Sequence, residues 1–140
     1  MSEIEFDKRE LQLKLCDILY AVAKICEEHD IRYYLDGGTT LGAVRHKGFI
    51  PWDDDIDIVM PRPDFEYFLK IANEKLPEYY EVRTHKTHPG GHVYPWAKIE
   101  DGRTTVVVDW QRHLNYKGGI FIDLFPLDGL PGNKIIRKWY

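Results

Sequence analysis

The sequence predicts a mixed α/β domain, an α+β sheet with helices packed on it. Three observations lead there. Two long stretches carry apolar residues at helical spacing, and short segments rich in β-branched and aromatic residues follow each of them. At 140 residues the chain fits one domain, able to bury roughly 68% of its unfolded surface. Apolar content of 44%, with 14% of residues aromatic, is that of a globular protein with a real core.

The first helix is expected over residues 5–28, where Leu11, Leu15, Ile18, Leu19, Val22, Ile25 and Cys26 form a wide apolar stripe. Its polar face is mixed rather than basic, so the stripe should pack on its own domain rather than on a membrane. Cys16 and Cys26 lie about 15 Å apart along this helix, beyond disulfide reach. Both read as small buried hydrophobes in a reducing compartment. Residues 31–35 follow as a strand, then a Gly37-Gly38 turn and a short helix through about Arg45. Residues 55–60 are the second strand. Pro61 and Pro63 stop it and open a helix, with Asp64 and Glu66 toward its positive end. Phe65, Phe68, Leu69, Ala72 and Leu76 mark that helix's buried face, and Pro77 ends it. Further strands are expected at 80–83, 94–99, 104–110 and 119–125. Val106-Val107-Val108 lacks alternation and suggests burial on both faces. Residues 84–91 read as a loop.

Net charge is −4, which argues against a nucleic-acid surface, since phosphate backbones demand clustered Lys and Arg. No apolar run approaches the roughly 20 residues of a spanning helix, and the N-terminus lacks a signal pattern. A cytoplasmic protein without a transmembrane segment is expected, with peripheral membrane association left open.

The chemistry concentrates in residues 35–58. Four of the five residues from Asp53 to Asp57 are aspartates. On a strand Asp53, Asp55 and Asp57 would share one face, with Ile56, Ile58 and Asp54 on the other. Like carboxylates about 5 Å apart repel by roughly 3 kcal/mol per pair at an effective dielectric near 20. Folding gives no reason to bear that cost, whereas a hard divalent cation does, because such ions pair one or two carboxylates with substrate phosphates. Asp55 and Asp57 are therefore expected metal ligands, and two ions there would steady an in-line phosphoryl displacement. Asp53 has the parity to join or orient them, while Asp54 should pair elsewhere with a cation or amide.

Gly37-Gly38 can let backbone approach a phosphate and aim helix N–H groups at it, with Thr39 and Thr40 adding hydroxyls. Arg45 offers a fork for phosphate oxygens, with His46 and Lys47 beside it. Lys98 is a second candidate for a donor phosphate. Trp52 either stacks on a substrate or forms a core wall beside Pro51. Asp123 shares a strand face with Phe121 and Phe125, and Asp128 reads as a turn former. His85, His88 and His92 lack the spacing of a closed zinc site.

These residues carry a resemblance. The run from Tyr34 to Met60 resembles the signature of the LicD family of phosphorylcholine and fukutin-type sugar-phosphate transferases, similar in its core to nucleotidyltransferases. Gly37-Gly38 and Asp55-Ile56-Asp57-Ile58 match the Gly-Gly turn and Asp-x-Asp strand, and the segment from Gly119 to Leu127 resembles the later strand with a third acid. The resemblance implies a nucleotidyltransferase-like sheet. It implies an enzyme using Mg²⁺ or Mn²⁺ to move a phospho-alcohol from a CDP-linked donor to a glycan hydroxyl. Asp123 would then complete the metal site with Asp55 and Asp57 and favour deprotonation of the acceptor. A nucleotidyltransferase releasing pyrophosphate would share this triad. A non-catalytic binding domain also competes, because family members are longer and residues 135–140 read as the start of a further helix. On this reading residues 1–140 are one domain, truncated at its C-terminus. A nucleotide-sugar glycosyltransferase is disfavoured by the Gly-Gly turn.

Overall fold

The computed structural model describes residues 7–106 and 117–139. Helix α1 (Lys8–Glu28) leads to β1 (Tyr34–Leu35), α2 (Gly37–His46), β2 (Asp57–Pro61) and α3 (Arg62–Lys75). Strands β3 (Tyr80–Arg83), β4 (Ala97–Val106) and β5 (Gly118–Leu127) follow. Among the described residues they form one five-stranded sheet in the order β1-β2-β5-β4-β3, in which β2 and β5 run parallel and the other pairs antiparallel. The mixed α/β architecture is the one expected.

Strand alternation divides the sheet into two chemistries. Ile58 and Met60 of β2, Ile122 and Leu124 of β5, and Ala97 and Ile99 of β4 are buried in one apolar cluster with α1 and α3. The helices contribute Leu15, Ile18, Val22 and Ile25 from α1, and Phe65, Phe68 and Ala72 from α3. Each of these side chains larger than alanine contributes about 1.5–3 kcal/mol of burial. The intervening positions, Asp57, Asp123 and Lys98 among them, face the other way and build the site.

Several boundaries differ from the sequence reading, each for a local reason. Asp7 caps α1 by accepting the N–H of Arg9 at 2.9 Å and of Glu10 at 3.4 Å; residues 5 and 6 lie outside the described residues. Strand β1 shrinks to two residues because the Ile31 N–H goes to the Cys26 carbonyl at 2.8 Å and the Arg32 N–H to the Asp64 carboxylate at 3.1 Å. The two strands expected at 94–99 and 104–110 are one strand, β4, irregular between Asp101 and Val106. There the Thr104 hydroxyl replaces ladder bonds, accepting from the Ile120 N–H at 2.7 Å and donating to the Asp101 carbonyl at 2.8 Å. Val107, Val108 and the rest of that expected strand lie outside the described residues.

Cys26 is buried, which pushes its thiol up to about 12, whereas Cys16, expected inside, is exposed. Trp52 is no core wall; it is 69% exposed, edge-on to His46. Asp128 does more than turn the chain, forking onto Arg62 at 2.7 and 2.5 Å. Among the described residues no helix is long and apolar enough to cross a membrane.

Candidate active site

The site begins where α2 starts. Gly37 is the first residue of α2 and has φ +51, a conformation that costs other L-residues about 1–2 kcal/mol. A Cβ on Gly37 would sit 3.6 Å from Asp57 Oδ2, and one on Gly38 would sit 3.0 Å from Asp53 Oδ2. The glycine pair thus brings bare helix backbone against two carboxylates. Further bonds lock α2 to β2. The Asp36 N–H donates to the Asp57 carbonyl at 3.0 Å, and Thr39 Oγ1 accepts the Asp57 N–H at 3.0 Å. Thr39, expected to meet phosphate, positions the first residue of β2.

The acids fall into two groups. Asp57 and Asp123 are register partners on the parallel strands β2 and β5, and the Asp123 N–H donates to the Ile56 carbonyl at 3.0 Å. Lys98 is the register partner of Asp123 on β4, so Asp57, Asp123 and Lys98 form one row across three strands. The second group is Asp53, Asp54 and Asp55, whose ligand atoms lie within 4.8 Å of one another; among the described residues no other three acids do so. This corrects the expectation for Asp54. Period-two alternation does not apply here, because a turn closed by the Asp53 N–H on the Ile50 carbonyl at 2.9 Å precedes β2, which starts only at Asp57. Ile56, 2% exposed, plugs the core between Asp55 and Asp57.

Charge is under strain throughout. Burial pushes Asp55 up to about 6, helped by the carboxylates of Asp57 and Asp53, although its outer edge meets water. Asp57 is raised by burial and then by Asp123, Asp36 and Asp53, with Lys98 opposing. Asp123 is raised by burial, opposed by the Lys98 ammonium and by the Trp96 indole N–H, which donates to Oδ1 at 2.6 Å. Burial in turn lowers Lys98, opposed chiefly by Asp123.

Three contributors escaped the sequence reading. Gln12 sits on the buried face of α1 and donates to the Asp53 carbonyl at 2.9 Å and the Ile50 carbonyl at 3.4 Å, pinning the acidic loop. Trp96 orients Asp123, and Asp36 adds charge beside Asp57. A polar residue within the apolar stripe was the available signal for Gln12. Arg45 lies in the last turn of α2, exposed, its Nε 3.3 Å from His46 Nδ1. It stands about 12 Å along the axis from Gly37, so the two cannot share one phosphate. Lys98 is buried and turned onto Asp123 rather than held out toward a donor. His88 pairs with Glu81 at 3.0 Å, and His92 Nε2 donates to the Trp96 carbonyl at 2.7 Å.

A mixed sheet with carboxylates facing a glycine-led helix is the frame of a nucleotidyltransferase-type domain. Residues 30–140 match the family described as LicD/FKTN/FKRP, nucleotidyltransferase domain, and the chain belongs to it. It is 40% identical over 129 residues to the lipopolysaccharide cholinephosphotransferase LicD of Haemophilus influenzae, covering 91% of this chain and 47% of that protein. It is also 49% identical over 37 residues to the ribitol 5-phosphate transferase FKRP of Homo sapiens, covering 26% of this chain and 8% of the relative. The chain therefore spans less than half the length of these relatives.

Proposed function

We propose that this chain carries the catalytic domain of a phosphotransferase that moves a phospho-alcohol from a CDP-linked donor to a cell-surface glycan hydroxyl. The observation behind this reading is the row that sets Asp57 beside Asp123, with Asp55 close enough to Asp57 to feel its charge and the Gly37 helix start against Asp57. The names of the relatives, a cholinephosphotransferase and a ribitol 5-phosphate transferase, support the substrate class. In this reading residues 1–140 are one domain of a cytoplasmic enzyme, in keeping with its free thiols at Cys16 and Cys26.

The donor set fits Mg²⁺ or Mn²⁺. Among the described residues every ligand on offer is a carboxylate oxygen, and burial, with repulsion from neighbouring carboxylates, raises Asp55 and Asp57 in a way a hard cation relieves. Asp55 and Asp57 would hold the ion, with Asp123 contributing a carboxylate oxygen. A bound ion supplies charge neutralisation at the donor phosphates. The N–H groups of Gly37 and Gly38 take phosphate oxygens at the positive end of α2. Arg45, at the far end of that helix, serves a different part of the donor.

In the transfer, the acceptor oxygen bonds to the phosphorus that carries the alcohol. The bond from that phosphorus to the CMP oxygen breaks, and CMP leaves with the electron pair. The acceptor's proton leaves to solvent, and the negative charge of Asp123 on the same face as the acids favours its loss. Positioning and charge do most of the work, as phosphoryl transfer requires.

A thermal-shift matrix of CDP-choline, CDP-ribitol, CTP and ATP, with and without Mg²⁺ or Mn²⁺, tests this. Ligand at about 100 times its dissociation constant adds roughly 2.7 kcal/mol, several degrees for a domain this size. The expected result is a metal-dependent shift confined to the cytidine compounds and lost in Asp57→Asn. A shift with CTP but neither CDP-alcohol would favour nucleotidyl transfer, and no shift in a folded protein would sink the catalytic reading.

A further inference from the structure

We infer that the site takes one divalent cation, on the Asp55–Asp57 side, and that the Lys98 ammonium is a built-in second cation on the Asp123 side. The inference rests on the metal-dependent reading above and concerns how many ions the site holds and what stands in for the other.

Backbone register puts Lys98 in line with the acids. Asp57, Asp123 and Lys98 are consecutive partners across β2, β5 and β4, so all three side chains leave the sheet on one face. Neighbouring strands are about 4.8 Å apart, so the place beyond Asp123 from Asp57 lies over β4, where Lys98 stands. That place is already positive. The Lys98 Nζ lies 3.7 Å from Asp123 Oδ1.

Asp123 is correspondingly committed. Its Oδ1 accepts the Trp96 indole N–H at 2.6 Å and faces the Lys98 ammonium as an ion pair at 3.7 Å. A second cation on that side would have to displace the Lys98 ammonium and compete with the Trp96 N–H for Oδ1.

Nor is the lysine free to leave. Lys98 is 5% exposed, and its Nζ sits 3.2 Å from the centroid of the Phe121 ring and 4.4 Å from that of Tyr94. Two aromatic faces and a carboxylate hold the charge where water does not reach it, the arrangement that stabilises a desolvated ammonium. A lysine meant to follow a mobile phosphate would keep its head in solvent on a flexible stem. Arg83, the next residue in the row on β3, serves different acids, pairing with Glu81 at 3.1 Å and Glu100 at 2.9 Å. Lys98 thus acts through Asp123 as a positioning residue and sets the ion count.

Mn²⁺ titration of the metal-free chain, following the electron paramagnetic resonance signal of the free ion, gives that count directly. The expected result is one ion per chain for the wild type and for Lys98→Arg, and two for Lys98→Met, where the positive charge beside Asp123 is gone. Two ions in the wild type, or one ion still in a folded Lys98→Met, overturns the inference while leaving the metal site standing. No ion in the wild type overturns the metal-dependent reading itself. If Lys98→Met does not fold, the wild-type and Lys98→Arg counts decide the matter.

Discussion

Replacing Gln12 by leucine tests whether α1 holds the acidic loop in place. Gln12 is 4% exposed, and its Nε2 donates to the carbonyls of Asp53 at 2.9 Å and Ile50 at 3.4 Å, residues about 40 positions away. Leucine fills nearly the same volume but donates nothing. Stranding a buried carbonyl costs about 1–3 kcal/mol, and the second, longer bond adds less than a full hydrogen bond's net value of roughly 1 kcal/mol. The leucine's extra apolar burial recovers roughly 1 kcal/mol. The balance is a loss of about 2 kcal/mol. At about 2–4 °C per kcal/mol for a chain near this size, the melting temperature should fall by about 4–8 °C. The same change should weaken Mn²⁺ binding by about 10-fold, because it releases the backbone that carries Asp53 and its neighbours. Calorimetric melting and metal titration of the purified variant read both effects. A Gln12→Leu protein that melts with the wild type and binds Mn²⁺ equally well would refute the claim that α1 organises the site.

Two further outcomes follow from the site's charge and its helix start. Asp55 holds its proton more tightly folded, at about 6, than unfolded near 3.8, because burial and the neighbouring carboxylates disfavour its charge. The contribution of Asp55 to metal-free stability should therefore be greatest at acid pH, fall as pH rises from about 4 through about 6, and stay low above that. Asp55→Asn should flatten this profile and stabilise the metal-free protein by about 1 kcal/mol at pH 7.5, the roughly 3 kcal/mol of the full shift being reduced by solvent screening at an exposed group. Urea denaturation in EDTA at pH 5 and 7.5 measures it, and a less stable Asp55→Asn would count against the strain. Gly37→Ala should cost about 1–2 kcal/mol at φ +51 and abolish protection by a CDP-linked donor. An unchanged melting temperature in that variant would show that α2 can start without the left-handed residue.

Much of the chemistry was legible in the chain itself. The Asp53–Asp57 block is costly without a counter-ion, and Gly37-Gly38 before a helix marks a close backbone approach, so carboxylates and backbone amides could be assigned without coordinates. The stripe over α1, the prolines opening α3, and the strand at Tyr80–Arg83 were likewise local signals, and they hold in the structure. Local periodicity fails where one side chain answers to a distant one. Strand β1 is short because Asp64, 32 residues on, takes an N–H that the ladder would have used, and Thr104 carries β4 across the gap between two expected strands.

What only the tertiary structure decided is the pairing across strands. Asp57, Asp123 and Lys98 come from segments with no sequence relation to one another, and strand order and register alone set them in a row. A lysine in a strand looks the same in sequence whether it points to solvent or into an aromatic cage. Register, fixed by which apolar side chains fill the core from the other face, turned Lys98 onto Asp123.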